Sequence, residues 1–227
     1  MQAVILAAGR GTRMEKLTEG TPKGLLEVGG RSLLEYTLEA LPESAEEIIF
    51  VVGYFGGMIH DKFGAQYFGK KILYVEQDEL NGTAGALWEA KGVLKDKFLV
   101  INGDDVYDRD DIARMTKLKE WGLLVAKTRE GGKVELDKHG HIIDVVEGQH
   151  GEIGLSSANV FWIDTRIFSH ALVPKAPDSP EYGLPQTMLA AAKKLHIAVK
   201  PVETKNWIQI SRPEDLEKAE KILASRM

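Results

Sequence analysis

The chain has 227 residues, 44% of them hydrophobic and 28% charged, with 29 Lys and Arg against 34 Asp and Glu for a formal net charge of −5. That balance disfavours a general nucleic-acid surface, which needs clustered excess cation, and no apolar run reaches the roughly 20 residues of a membrane span. Cysteine is absent, which excludes disulfides, thiolate nucleophiles and sulfur-built zinc sites and makes a hard cation such as Mg²⁺ the leading metal candidate.

Met1–Ala8 enters a strand pattern without the basic stretch of a signal peptide, so a cytoplasmic protein is expected. Gln2–Leu6 reads as a buried strand. Ser32–Leu41 reads as a helix with Ser32 as its N-cap and Leu33, Leu34, Thr37, Leu38 and Leu41 on one face. Ile48–Val52, Ile72–Val75 and Phe98–Ile101 follow as strands, with helices expected over Gly57–Phe63, Thr83–Leu94 and Asp108–Trp121. This alternation predicts an α/β fold, a Rossmann-like mixed sheet with helices on both faces.

The second half changes period. Leu123–Lys127, Lys133–Asp137, Ile142–Val146 and Ala158–Ile163 read as antiparallel strands joined by Gly-bearing turns, among them Glu130-Gly131-Gly132 and His139-Gly140-His141. Helices over Tyr182–Leu195 and Arg212–Ser225 follow, separated by the strand patterns His196–Val202 and Trp207–Ile210. With no linker or repeat in sight, one domain over residues 1–227 is expected, with halves at residues 1–121 and 122–227.

The strongest chemical signal is Leu6-Ala7-Ala8-Gly9-Arg10-Gly11-Thr12-Arg13-Met14, followed by Thr21-Pro22-Lys23-Gly24. Small residues directly after a buried strand let backbone approach a ligand, and successive N–H groups there form a concavity suited to a triphosphate. Arg13 and Lys23 add charge. A Walker loop would need a Gly-Lys-Ser/Thr ending, and a dinucleotide fingerprint would need a third glycine where Met14 stands. A plain tight turn is the competing reading.

These residues resemble the L-A-A-G-x-G-T-R-M and T-P-K signature of the sugar-phosphate nucleotidyltransferase family, and the resemblance covers essentially the whole chain. It implies a GT-A-like nucleotidyltransferase fold. It also implies that Leu6, Ala8, Gly9, Gly11 and Thr12 line the nucleotide, that Arg13 contacts the triphosphate, and that Lys23 steadies the reacting phosphates. The substrates implied are an NTP and a phosphorylated small-molecule acceptor, most simply a sugar 1-phosphate. Homo-oligomerisation is left open. Since no β-helical or acyltransferase segment is visible, a second activity is not expected.

Glu76–Leu87 resembles the family's base-recognition segment. The Gln77 amide offers a donor and an acceptor suited to uracil or thymine, and Gly82 lets backbone meet the base, with Thr83 beside it. As a plain structural element, the same stretch caps a helix through Thr83 or Asn81. Asn102-Gly103-Asp104-Asp105 places carboxylates at the carboxyl end of a strand, where open α/β sheets bind ligands. Asp104 is the candidate Mg²⁺ ligand, flanked by nucleotide-binding Asn102 and Gly103, whereas Asp105 reads better as an Asx turn or as a cap near Asp108.

Farther on, Ser157-Ala158-Asn159-Val160-Phe161 stands where relatives have N-A-G-[IV]-Y, and Glu181-Tyr182-Gly183-Leu184 resembles their E-Y-x-L, which nominates Asn159 and Glu181 for the acceptor. Glu147 holds the E-K-P position, but Gly148 replaces its lysine. Trp207–Leu216 resembles W-x-D-x-[GS]-x-P-x-D-L with Gln209 replacing the second metal-binding Asp. Catalysis would then lean on Asp104 and substrate phosphates.

In the implied reaction, UTP or dTTP and a hexose 1-phosphate give a nucleotide sugar and pyrophosphate. The alternatives are a cytidylyltransferase acting on phosphocholine or inositol phosphate, and a non-catalytic sensor that has lost the groups replaced at positions 148 and 209. The six His lack metal spacing, and His139 and His141 flank a turn. Trp88 and Trp121 are expected on helix faces, and the acidic Asp108–Asp111 stretch starts a helix.

Overall fold

The computed structural model describes residues 1–148 and 152–226. In chain order the strands are β1 (Gln2–Ala7), β2 (Glu27–Val28), β3 (Arg31–Ser32), β4 (Glu47–Val52), β5 (Gln66–Tyr67), β6 (Lys70–Glu76), β7 (Lys97–Asn102), β8 (Trp121–Thr128), β9 (Lys133–Leu136), β10 (Ile142–Val146), β11 (Gly154–Asp164) and β12 (Val199–Thr204). The helices are α1 (Leu33–Ala40), α2 (Gly56–Phe63), α3 (Thr83–Glu89), α4 (Arg109–Met115), α5 (Leu184–Leu195) and α6 (Pro213–Ala224), with 3₁₀ turns at Thr12–Thr18 and Lys23–Leu25.

Ten of the strands form one mixed sheet. Its centre is parallel, in the order β6-β4-β1-β7. β11 then runs antiparallel to β7 and carries β8, with β12 parallel to β8. The register decides where the hairpin β9–β10 lies. β7 covers β11 only from Val160 to Asp164, and Ser156 of β11 faces Lys133 of β9. The hairpin therefore occupies the same edge of β11, just past the carboxyl end of β7.

Each central strand is apolar on both faces, as a sheet covered on both sides requires. Val4 and Leu6 of β1 join Ile49, Val51, Phe98 and Val100 against α3 and α5. Ala3 and Ile5 join Ile48, Phe50, Leu99 and Ile101 against α1, α2 and α4. A third cluster, with Met14, Leu26, Leu33, Val106, Ile208, Ile210 and Ala219, packs the Gly-rich turn and α6 together. No described helix is long and apolar enough to cross a membrane.

The α/β architecture with helices on both faces agrees with the sequence reading, but several elements differ. The helix expected over Asp108–Trp121 ends at Met115, and Trp121 opens β8, fully buried, with Nε1 donating to Asp164 Oδ2 at 2.9 Å. α3 stops at Glu89 and continues only as a 3₁₀ turn to Gly92. Trp207–Ile210 is not a strand; Ile208 makes an isolated bridge with Val106.

Candidate active site

The site grows from the carboxyl ends of the parallel strands. The Leu6 carbonyl accepts from Gly103 N at 3.0 Å and the Ala8 carbonyl from Tyr54 N at 3.0 Å, tying the exits of β1, β7 and β4 together. Gly9, Thr12 and Arg13 are exposed beyond this knot, while Leu6 and Ala8 are buried in it. Gly11 takes a left-handed φ of 63°. Its carbonyl accepts from the Thr18 hydroxyl at 3.1 Å, and the Thr18 carbonyl accepts from the Tyr54 hydroxyl at 3.0 Å. Tyr54 thus pins both ends of the turn. Nothing in the periodicity after β4 marked it.

Lys23 sits across this turn. Its side chain is only 10% exposed, and Nζ bonds Asp104 Oδ2 at 2.7 Å, while Asp104 itself remains 36% exposed. The ammonium also donates to the Ile210 carbonyl. A stationary cation beside an accessible carboxylate is suited to polyphosphate.

Asp105 does neither of the jobs expected of it. Asp108 is the residue that caps α4, accepting from Asp110 N at 2.9 Å and Asp111 N at 3.3 Å. Asp105 is buried instead, with Oδ2 accepting from Trp207 Nε1 at 3.0 Å and Oδ1 from Ile210 N at 2.8 Å. Burial and the neighbouring Asp104 push its carboxyl up, against the pull of Lys23 and the two N–H donors. These bonds hold the segment carrying Gln209 against the Lys23–Asp104 pair. Sequence reasoning missed this because the partners are 102 and 105 positions away.

Gln77 and Gly82 meet at the end of β6. Gln77 is buried, and its Nε2 donates to Asn81 Oδ1 at 3.1 Å and to the Gly82 carbonyl at 3.3 Å. With Arg10, Gly53, Tyr54, Glu76, Asp78 and Leu80 it lines a recess of about 270 Å³. Gly82, at φ 101°, is the N-cap of α3; neither Thr83 nor Asn81 caps it. Thr83 Oγ1 instead accepts from Leu184 N at 3.0 Å, and Tyr182 exchanges backbone bonds with Asn81 (2.7 Å) and Ala84 (3.1 Å). The Asn81–Ala84 stretch and the Glu181–Leu184 segment are therefore sewn together.

On that side Glu181 pairs with Lys175, and Lys175 N donates to the Glu181 carbonyl at 2.9 Å. Glu147 follows β10 with its carboxylate over Gly132. The surrounding protein raises its carboxyl above the usual range, opposed by Lys175, Gln186 and Arg13. Arg13 from the first turn and Lys175 thus act on one carboxylate. Asn159 adopts a left-handed φ of 55° at a β-bulge, with its N–H donating to Ser157 Oγ at 3.2 Å. Its conformation matches the glycine that the family pattern has here. Asn102, at the end of β7, keeps a buried Oδ1 without a hydrogen-bond partner.

A glycine turn, a lysine–carboxylate pair and a base-sized recess at one edge of a parallel sheet define a nucleotide-handling α/β protein. The chain belongs to the nucleotidyl transferase family, whose model matches residues 2–223. It is 30% identical over 232 residues to the bifunctional protein GlmU of Methanocaldococcus jannaschii, covering 100% of this chain and 55% of that protein. The chain thus spans about half the length of the first curated relatives it matches. It is 28% identical to the UTP–glucose-1-phosphate uridylyltransferase AglF of Haloferax volcanii, covering 98% of this chain and 96% of that one. Among solved structures, the inositol-1-phosphate CTP transferase of T. maritima superposes with a TM-score of 0.78 at 20% identity, covering 98% and 94% of the two chains.

Proposed function

We propose that the protein joins UTP or dTTP to a sugar 1-phosphate, giving a nucleotide sugar and pyrophosphate. The observation that carries this reading is the Lys23–Asp104 pair, 2.7 Å apart, set against the Gly-rich turn at the exits of β1 and β7. An acceptor phosphate oxygen attacks the α-phosphorus, and a P–O bond forms as the bond to the bridging oxygen breaks. Pyrophosphate departs with the electron pair. No protein nucleophile takes part, so positioning and charge neutralisation supply the rate.

Within that scheme the backbone of Gly9 to Thr12 receives the triphosphate, Arg13 and Lys23 neutralise it, and Gln77 with Gly82 takes the base. Glu147 and Glu181 face the acceptor, and Lys175 supplies there the positive charge that Gly148 does not. The donor set fits Mg²⁺ held jointly with substrate. Asp104 is an open carboxylate, Gln209 lies on the adjoining segment, and no group of three or more His, Asp or Glu forms a separate cage among the described residues. When bound, such a cation would neutralise phosphate charge.

The test is pyrophosphate release from a panel of UTP, dTTP and CTP with hexose 1-phosphates, inositol phosphate and phosphocholine. Fastest turnover should come with UTP or dTTP and a hexose 1-phosphate. Fastest turnover with CTP would select the cytidylyltransferase reading, and nucleotide binding without turnover of any pair would select the sensor.

A further inference from the structure

Asp104 and Asp105 are adjacent in sequence but play opposite parts. Asp104 is partly open and bonds Lys23, whereas Asp105 is buried and has both oxygens engaged by the 207–210 segment. The bonds close a ring. The Ile210 peptide gives its N–H to Asp105 Oδ1 at 2.8 Å and offers its carbonyl to the Lys23 ammonium, which bonds Asp104 Oδ2 at 2.7 Å. A second tie locks the segment, because Val106 and Ile208 exchange backbone bonds of 3.0 and 2.9 Å.

We propose that Asp105 is a positioning residue for Lys23, acting through the Ile210 carbonyl. The inference rests on Lys23 serving the phosphates. Lys23 has two acceptors in this state, one of them Asp104, a group that must face substrate. When phosphate draws the ammonium off Asp104, the Ile210 carbonyl is the anchor that stays. Its place is fixed by Asp105. Both Asp105 oxygens receive N–H donors, so an amide in its place can satisfy only one and turns its own N–H₂ toward the other. The Ile210 peptide would then shift, and small shifts at a reacting centre lower turnover steeply.

The experiment is a double-mutant cycle of Asp105→Asn with Lys23→Ala, reading turnover, UTP affinity by calorimetry and thermal midpoint. Asp105→Asn should lower kcat by about ten-fold or more while leaving the chain folded. On a Lys23→Ala background it should cost almost nothing further, since the lysine it positions is gone. Full multiplication of the two losses, or an Asp105→Asn enzyme within about two-fold of wild type, overturns the proposal. Should Asp105→Asn fail to fold, Trp207→Phe removes one of the two bonds and must show a smaller loss with the same dependence on Lys23; an additive loss overturns it. If wild type turns over no pair, the proposed reaction fails separately, and the cycle is read on the UTP dissociation constant with the same criteria.

Discussion

A methyl group at position 82 would lie 2.4 Å from the Tyr182 carbonyl oxygen and 2.7 Å from its nitrogen. Both are backbone atoms held by bonds to the neighbouring 81–84 stretch, so neither can swing away. With φ 101° and ψ 179° the backbone here lies in a region essentially confined to glycine, which adds a penalty of about 1–3 kcal/mol for any L residue. Gly82→Ala should therefore lower stability by more than that penalty and raise the KM for nucleotide, checked by thermal melting and steady-state kinetics. A variant with an unchanged KM would detach this junction from nucleotide handling. At this scale, residues whose chemistry is local were legible: Lys23 and Asp104 were singled out and meet in the structure. Asp105 and Tyr54 were not, because what defines them is a partner far along the chain. Asn159 was nominated for the acceptor by its place in the family pattern, and the structure shows a backbone reason for asparagine there.

Among the elements, α1 shows how a few side chains decide where a helix begins. Ser32 Oγ accepts from Glu35 N at 3.4 Å, and Glu35 Oε2 accepts from Ser32 N at 2.8 Å. Burial alone would raise the Glu35 carboxyl, but Lys62 and the Ser32 hydroxyl and N–H outweigh it and bring it to about 2. A carboxyl lowered on folding stabilises above its ordinary value near 4.5 and stops doing so as pH falls through about 2. Glu35→Gln should therefore flatten the acid limb of stability over that window while costing stability at neutral pH. Ser32→Ala should cost about 1 kcal/mol in denaturant unfolding. Helices with such caps were well placed from sequence. The helix expected through Trp121 was not, since an apolar stretch as short as Trp121-Gly122-Leu123 fits either period and only pairing with β11 and β12 makes it a strand. The two-residue strands β2 and β3 left no periodic trace at all.

For the whole molecule, the ten-stranded sheet joins β1 and β7 to β11 and the hairpin, and Lys23, Asp104 and Ile210 meet from distant parts of the chain. Ligand that binds only the folded state stabilises by mass action, about 2.7 kcal/mol at a hundred-fold excess over its dissociation constant. UTP with Mg²⁺ should raise the thermal midpoint of wild type, and Lys23→Ala, which melts below wild type because it leaves Asp104 and the Ile210 carbonyl without their cation, should show a smaller rise from its own ligand-free midpoint. The α/β architecture was legible because buried parallel strands and amphipathic helices repeat along the first half. What remained hidden was the junction of 81–84 with 181–184, a contact across about a hundred residues that no local pattern encodes.

Trp207 gives the protein a native optical gauge. Its indole N–H rests on Asp105, within the ring that contains Lys23, whereas Trp121 and Trp162 are buried with bonds to Asp164 and to the Leu118 carbonyl, and Trp88 packs edge-on against Phe168. Emission changes on titration with nucleotide should come from Trp207 and disappear in Trp207→Phe. Occupancy could then be followed in real time, unlabelled, on the unmodified protein.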